Sequence, residues 1–249
     1  MYSKMKKIHF GAAIHRIKFA KLNTIPLVEK ANELYKNCYA NLPPNALESN
    51  LPGGWRSTVN MMFFKQQLAH FNETNRTKHL DGFEELEEFL ELKCRMKSAA
   101  KDYLEDLQQD NDLVELHETI ENAPMFVWAS VHTGGSVHPP HVHSDAMCTG
   151  TFYAQRPQTA APIVFDDPRG TSPFDVLISI EANLRYGDGV ASKPEATPPF
   201  NNPVFVEPEE KECVLFPPWL VHQVPGTTPD DVVRVSFSFN LLGKWAWSV

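Results

Sequence analysis

HPPHVHSDAMCTGTFY, from His138 to Tyr153, holds three of the ten histidines in the chain, and His132 lies just upstream. No other stretch of the 249 residues concentrates metal-ligand chemistry this way. It supplies two ligand pairs, His141 with His143 and His143 with Asp145. On an extended backbone residues i and i+2 point to the same side, so either pair can grip one face of a single ion. A further ligand must come from far along the chain, and His222 in CVLFPPWLVHQV is the candidate. Imidazoles with a carboxylate, leaving coordination positions open, suit non-haem Fe(II), and zinc competes for the same donors. Loop histidines that hold no metal are the plain alternative for a lone HxD pair. The residues downstream weigh against it.

Working outward, the composition changes at Ala123. Beyond it come short β-rich runs separated by turn residues: Met125–His132, Thr149–Gln155, Pro162–Asp166, Val176–Ala182, Pro203–Val206, Cys213–Phe216 and Val232–Leu242. Before it the pattern is helical. Leu27, Ala31, Leu34 and Cys38 form a stripe over Pro26–Ala40. From Gly82 to Gln109, Phe83, Leu86, Phe89, Leu90, Met96, Ala100, Tyr103, Leu104 and Leu107 recur at three and four, giving one long helix or two. Asn41–Trp55 reads as loop, and Arg56–Phe71 is ambiguous between helix and strand. Helices followed by many short strands predict a mainly β fold with supporting helices. We expect a double-stranded β-helix (jelly-roll, cupin-like) braced by N-terminal helices. The expected organisation is a single domain over 1–249, with residues 1–122 as mainly helical support carrying an N-terminal strand and 123–249 as the β core. Asn183–Asn202, rich in Gly and Pro, is long enough to be a lid or binding loop at the pocket mouth.

Charge and composition narrow the function classes. A net charge of −8 argues against a nucleic-acid partner bound through phosphate neutralisation. No apolar run approaches the length of a membrane span. Cys38, Cys94, Cys148 and Cys213 are scattered without a CxxC, which points to reduced thiols and a cytoplasmic setting. Cys148 lies near the histidine stretch but reads as a small buried apolar residue. The basic start of the chain, MYSKMKKIHFGAAIHRIKFAKL, is either a transit peptide or a strand of the domain, and the alternation at Ile8-His9-Phe10 and Ile17-Lys18-Phe19 favours strand.

The last run, VVRVSFSFNLL, alternates with period two: Val233, Val235, Phe237 and Phe239 on one face, Arg234, Ser236, Ser238 and Asn240 on the other. If the apolar face packs outward under a helix, the polar face lines an interior pocket. An arginine there requires an anion, and its planar fork suits a carboxylate. The alternative is an ordinary exposed face with Arg234 outside. Trp128 and Trp219 read as core or pocket wall.

Taken together, HVHSDAMCTGTFY, FDDPRG, VLFPPWLVHQV and RVSFSFN resemble a family of 2-oxoglutarate- and Fe(II)-dependent oxygenases of mostly unassigned substrate. Gly53-Gly54-Trp55 and IHFGAAIHRIKF add to the likeness. Ser144, Asp145, Thr149 and Lys211 depart from the family's pattern, Lys211 standing where a turn glycine is common. The resemblance implies Fe(II) held by His143, Asp145 and His222, the arrangement favoured because a carboxylate offsets part of the Fe(II) charge, or by His141, His143 and His222. In the first arrangement His141 serves as a supporting or substrate contact. It further implies 2-oxoglutarate as cosubstrate, chelating the metal through its C1 carboxylate and keto oxygen. The distal carboxylate then pairs with Arg234, with Tyr153 and Ser236 as hydrogen-bond donors. Dioxygen and a small-molecule or peptide substrate complete the reaction, with hydroxylation its default outcome. A cupin-like metal enzyme without 2-oxoglutarate, or a non-catalytic jelly-roll binding module, are the competing expectations.

Overall fold

The computed structural model describes residues 4–9, 12–39, 72–73, 81–107, 113–132, 136, 138–143, 146–168, 203–226 and 233–243. The expectations for Asn41–Trp55, Arg56–Phe71, Val176–Ala182 and the loop Asn183–Asn202 lie outside these residues.

Ten strands occur among the described residues: β1 Lys4–His9, β2 Ala12–Lys18, β3 Met125–His132, β4 His138–His141, β5 Ala146–Gln155, β6 Ile163–Phe165, β7 Val204–Val206, β8 Glu212–Phe216, β9 His222–Val224 and β10 Arg234–Leu242. They form two antiparallel sheets, one ordered β1-β2-β8-β5-β10-β3 and the other β4-β9-β6-β7. The molecule is thus mainly β with helices, a jelly roll of two sheets. The N-terminal alternation falls on β1 and β2, and β2 joins the larger sheet through β8.

The helices are α1 Ile25–Leu34, continued by a π turn over Tyr35–Tyr39, α2 Glu87–Leu107 and α3 Leu113–Asn122. Pro26 sits in the first turn of α1, where its missing N–H costs nothing, and Leu27, Ala31 and Leu34 are buried as their spacing requires. The long acidic-to-basic segment is one helix, α2, starting after residues 82–86. Its buried stripe is Phe89, Leu92, Met96, Ala99, Ala100 and Tyr103. Leu90 is turned out, 53% exposed, and Leu92 is buried instead, while Phe89, Met96, Ala100 and Tyr103 are buried as expected.

Which way the large sheet faces follows from β10. Val235, Phe237, Phe239 and Leu241 belong to one hydrophobic cluster with the buried faces of α1 and α2. Phe237 meets Phe83 at 5.2 Å and Phe89 at 6.1 Å between ring centroids. Truncating such a buried ring to alanine costs about 3–5 kcal/mol. Strands β3 and β5 repeat the pattern, with Val127, Ala129, Val131, Cys148, Phe152 and Ala154 on the helix side. A second cluster, including Ile14, Tyr153, Ile163, Phe165, Val214 and Phe216, lies between the two sheets. Close packing is sharpest at Gly150: a Cβ there would come 2.7 Å from Phe239 Cε1 and 2.9 Å from the Val214 carbonyl.

With the apolar residues of β10 against the helices, its alternate residues look between the sheets. Arg234, Ser236 and Ser238 line an interior cavity, as do Trp128, Ser130 and His132 from β3.

Candidate functional site

Strand pairing builds the site. The register of β4 with β9 sets His141 opposite His222. Just past β4, the His143 N–H donates to the Pro218 carbonyl at 2.9 Å, tying the histidine loop to the Pro-Pro turn before β9. These two links bring His143 Nε2 to 3.3 Å from His222 Nε2. The ligand atoms of His141, His143 and His222 all lie within 4.8 Å of one another. Bonds of about 2.1 Å to a shared ion place neighbouring imidazole nitrogens roughly 3 Å apart, so the triad is the right size for one metal.

The protonation states suit the same purpose. His222 Nδ1 lies 2.9 Å from the Leu220 carbonyl and donates to it, which leaves the Nε2 lone pair facing His143. Burial, and after it the neighbouring His141, lower the pKa of His143 to about 4 and that of His222 to about 2. Neutral imidazoles are the metal-binding form. Phe216 packs edge-on against His222 at 4.5 Å and Phe165 tilts against it at 6.1 Å, while Trp128 lies 5.7 Å from His143. These rings fix the imidazoles and surround them with apolar surface.

A cavity lies beside the triad. Arg234 enters it from β10, 1% exposed. Its guanidinium donates to the Ala161 carbonyl at 3.3 Å and sits 5.8 Å from the Tyr153 ring centroid. Its Nε has no hydrogen-bond partner among the described residues. No carboxylate occurs among the described residues that line the cavity. Burial lowers the pKa of Arg234, yet a guanidinium stays charged, so a cation without a carboxylate partner among the described residues lines the cavity. Tyr153 and Ser236 face each other in the β5–β10 register and line the same space. Burial raises the Tyr153 phenol to about 12, keeping it a neutral donor.

The described structure therefore joins His141, His143, His222, Arg234, Tyr153 and Ser236 around one cavity. Asp145 lies outside the described residues. Cys148 is fully buried on the helix side of the sheet, away from the triad. Trp128 is a cavity wall, but Trp219, expected in core or wall, is 54% exposed on the turn before β9. Phe165 and Phe216 as supports for His222 are not legible in the sequence, although Phe216 adjoins Pro217-Pro218 in the histidine-bearing motif. His132 and His138 also line the cavity. They continue a row of rings, His132 to His138 at 6.2 Å and His138 to His141 at 4.2 Å.

Among the described residues no helix is long and apolar enough to cross a membrane. No curated protein sequence matches the chain. Solved structures similar to it include the dioxygenase for auxin oxidation 1 from Arabidopsis thaliana in a 2-oxoglutarate complex. The identity is 12%, covering 92% of this chain and 83% of that one, with a TM-score of 0.46. HygX from Streptomyces hygroscopicus, with nickel and 2-oxoglutarate bound, is similar at 11% identity, covering 93% of this chain and 83% of that one, with a TM-score of 0.42. Residues 126–240 match the family model described as "Putative 2OG-Fe(II) oxygenase". That match spans β3 to β10, every strand that contributes to the triad and to Arg234.

Proposed function

We propose that His141, His143 and His222 hold the Fe(II) of this oxygenase, that Arg234 anchors the distal carboxylate of 2-oxoglutarate, and that the reaction hydroxylates a small molecule or a peptide side chain. The observation that carries this reading is the buried guanidinium of Arg234 in the same cavity as the triad, with no carboxylate partner there among the described residues. Three neutral imidazoles leave a divalent cation uncompensated, and Arg234 adds a further positive charge. A buried excess of this size is costly unless an anion enters with it. 2-Oxoglutarate is a dianion with one carboxylate at each end, suited to a metal at one side of the cavity and a guanidinium at the other. Tyr153 and Ser236 stand as hydrogen-bond donors near the anchored end.

Bound there, the metal and cosubstrate would supply the oxidising chemistry together with dioxygen, one oxygen atom going to succinate as 2-oxoglutarate loses carbon dioxide and the other to the substrate. The chain's own part is positional. His222 presents its lone pair because Leu220 takes the opposite proton. Phe165, Phe216 and Trp128 hold the imidazoles and exclude water from them. Cys94, Cys148 and Cys213 are free thiols, which supports a reducing, cytoplasmic setting.

Thermal unfolding with Mn(II), with and without 2-oxoglutarate, tests the core of the reading, followed by succinate release over a substrate panel. We expect 2-oxoglutarate to raise the melting temperature only when the metal is present. Stabilisation by metal with no response to 2-oxoglutarate would leave a cupin-like enzyme that works without it.

A further inference from the structure

We propose that His132 is a second contact for the carboxylate anchored at Arg234, and that it makes this end of the cavity selective for dicarboxylic over monocarboxylic 2-oxo acids; the inference rests on the cosubstrate reading above. His132 ends β3 and Arg234 begins β10, and the two are direct partners in the antiparallel register. Side chains at such a pair stand on the same face, with Cβ atoms about 5 Å apart. Both line the cavity, and both are almost wholly enclosed, His132 being 2% exposed.

Neither ring nitrogen of His132 has a hydrogen-bond partner among the described residues. A buried imidazole with both nitrogens unsatisfied is destabilising, and evolution of a plain core would place a leucine or phenylalanine there. Burial, aided by the Arg234 charge, holds the ring in its neutral form, with one N–H to donate and no repulsion toward the guanidinium. Donor and guanidinium side by side make a two-sided cradle for one carboxylate. The row His132, His138, His141 then runs beside the space between that cradle and the metal triad.

The test compares 2-oxoglutarate with 2-oxobutyrate, which chelates a metal identically but lacks the distal carboxylate. Affinities are measured without oxygen on the Mn(II)-loaded parent, His132→Gln, His132→Leu and Arg234→Ala. A hydrogen bond to a charged group corresponds to roughly a tenfold or larger change in affinity. His132→Leu should therefore weaken 2-oxoglutarate by about tenfold or more and leave 2-oxobutyrate unchanged. His132→Gln, which keeps a donor, should retain most of the preference. Equal losses for both acids, or no loss for 2-oxoglutarate, would overturn the assignment. Should His132→Leu not fold, the ring 15N shifts of His132 in the Zn(II)-loaded parent answer the same question. They should move on adding 2-oxoglutarate and stay put with 2-oxobutyrate, and the reverse overturns it. If Arg234→Ala loses the preference while His132→Leu keeps it, only the role of His132 falls. If the parent itself shows no preference for 2-oxoglutarate, the cosubstrate reading falls with it.

Discussion

His143 Nε2 lies 3.3 Å from His222 Nε2, across 79 residues of sequence. Two neutral imidazoles in this position can share a proton or a metal. The Leu220 carbonyl already takes the Nδ1 proton of His222, which favours the metal. Replacing His222 with alanine should abolish Mn(II) binding at micromolar concentrations. Calorimetric titration reads this directly. Stoichiometric Mn(II) binding by His222→Ala would mean that the triad is not the metal centre.

The third ligand is decided by two further variants. His141 stands in register with His222 and belongs to the triad, so His141→Ala should weaken Mn(II) binding by about a hundredfold or more, beyond the usual cost of losing a supporting contact. Asp145→Ala should cost far less. The opposite ranking would identify a two-histidine, one-carboxylate face.

Much of this site can be read from the sequence because period-two patterns survive packing. On β10 the alternation of Arg234, Ser236 and Ser238 with Val235, Phe237 and Phe239 is strict, so once helices cover the apolar face the arginine has to look inward. The i, i+2 reading of the histidine stretch is less faithful: β4 stops at His141, and His143 reaches the triad through its backbone bond to Pro218. Strands β4 and β9 carry prolines or only three residues, too little pattern to detect, and they acquire strand geometry from each other. Helix α3, ten residues long, falls in a stretch to which the sequence pattern assigns no element. Trp219 shows the limit of hydrophobicity as a guide, because a turn of Pro-Pro fixes its direction before burial can.

Acid should destabilise the metal-free protein before it protonates most carboxylates. Burial depresses the folded-state pKa of His138 to about 3 and of His222 to about 2, and lowers that of His132 as well. In the unfolded chain each titrates near 6.5. Between those values the unfolded state binds more protons, so the stability these histidines contribute is full above about pH 6.5 and is lost as pH falls. Each adds at most about 1.4 kcal/mol per pH unit to the slope. The melting temperature in a chelator should drop between pH 7 and 5 and be flat above 7.5. A flat profile across the acidic range would show that the imidazoles are not held neutral.

Lys211 carries φ 64°, the left-handed region that disfavours a side chain. Its N–H donates to the Tyr153 carbonyl at 2.7 Å and its carbonyl accepts from Phe19 at 2.8 Å, so the backbone cannot relax. The strain is worth about 1–2 kcal/mol, and glycine relieves it while making the unfolded chain looser. Lys211→Gly should therefore stabilise by about 0.5–1 kcal/mol, raising the melting temperature by a few degrees in a chain of this size. Lys211→Ala keeps the strain and should change little. Destabilisation by glycine would mean that the lysine side chain contributes more than its backbone costs.

Arg234 separates function from stability most clearly. It is fully enclosed, its Nε has no partner among the described residues, and its one hydrogen bond among them, to the Ala161 carbonyl, is long at 3.3 Å. An isolated buried cation of this kind costs stability, and replacing it with a hydrophobic residue of similar length is commonly neutral or favourable. Arg234→Met should therefore match or exceed the parent's melting temperature when ligand-free. The same change removes a charge-assisted contact worth about 1.5–3 kcal/mol, so 2-oxoglutarate should bind roughly 10- to 150-fold more weakly. Arg234→Lys keeps the charge but loses the planar fork, and should fall between the two. Mn(II) affinity without 2-oxoglutarate should not change, because no metal ligand is touched. An arginine retained for the fold would give the reverse result: a less stable Arg234→Met that still binds 2-oxoglutarate as the parent does.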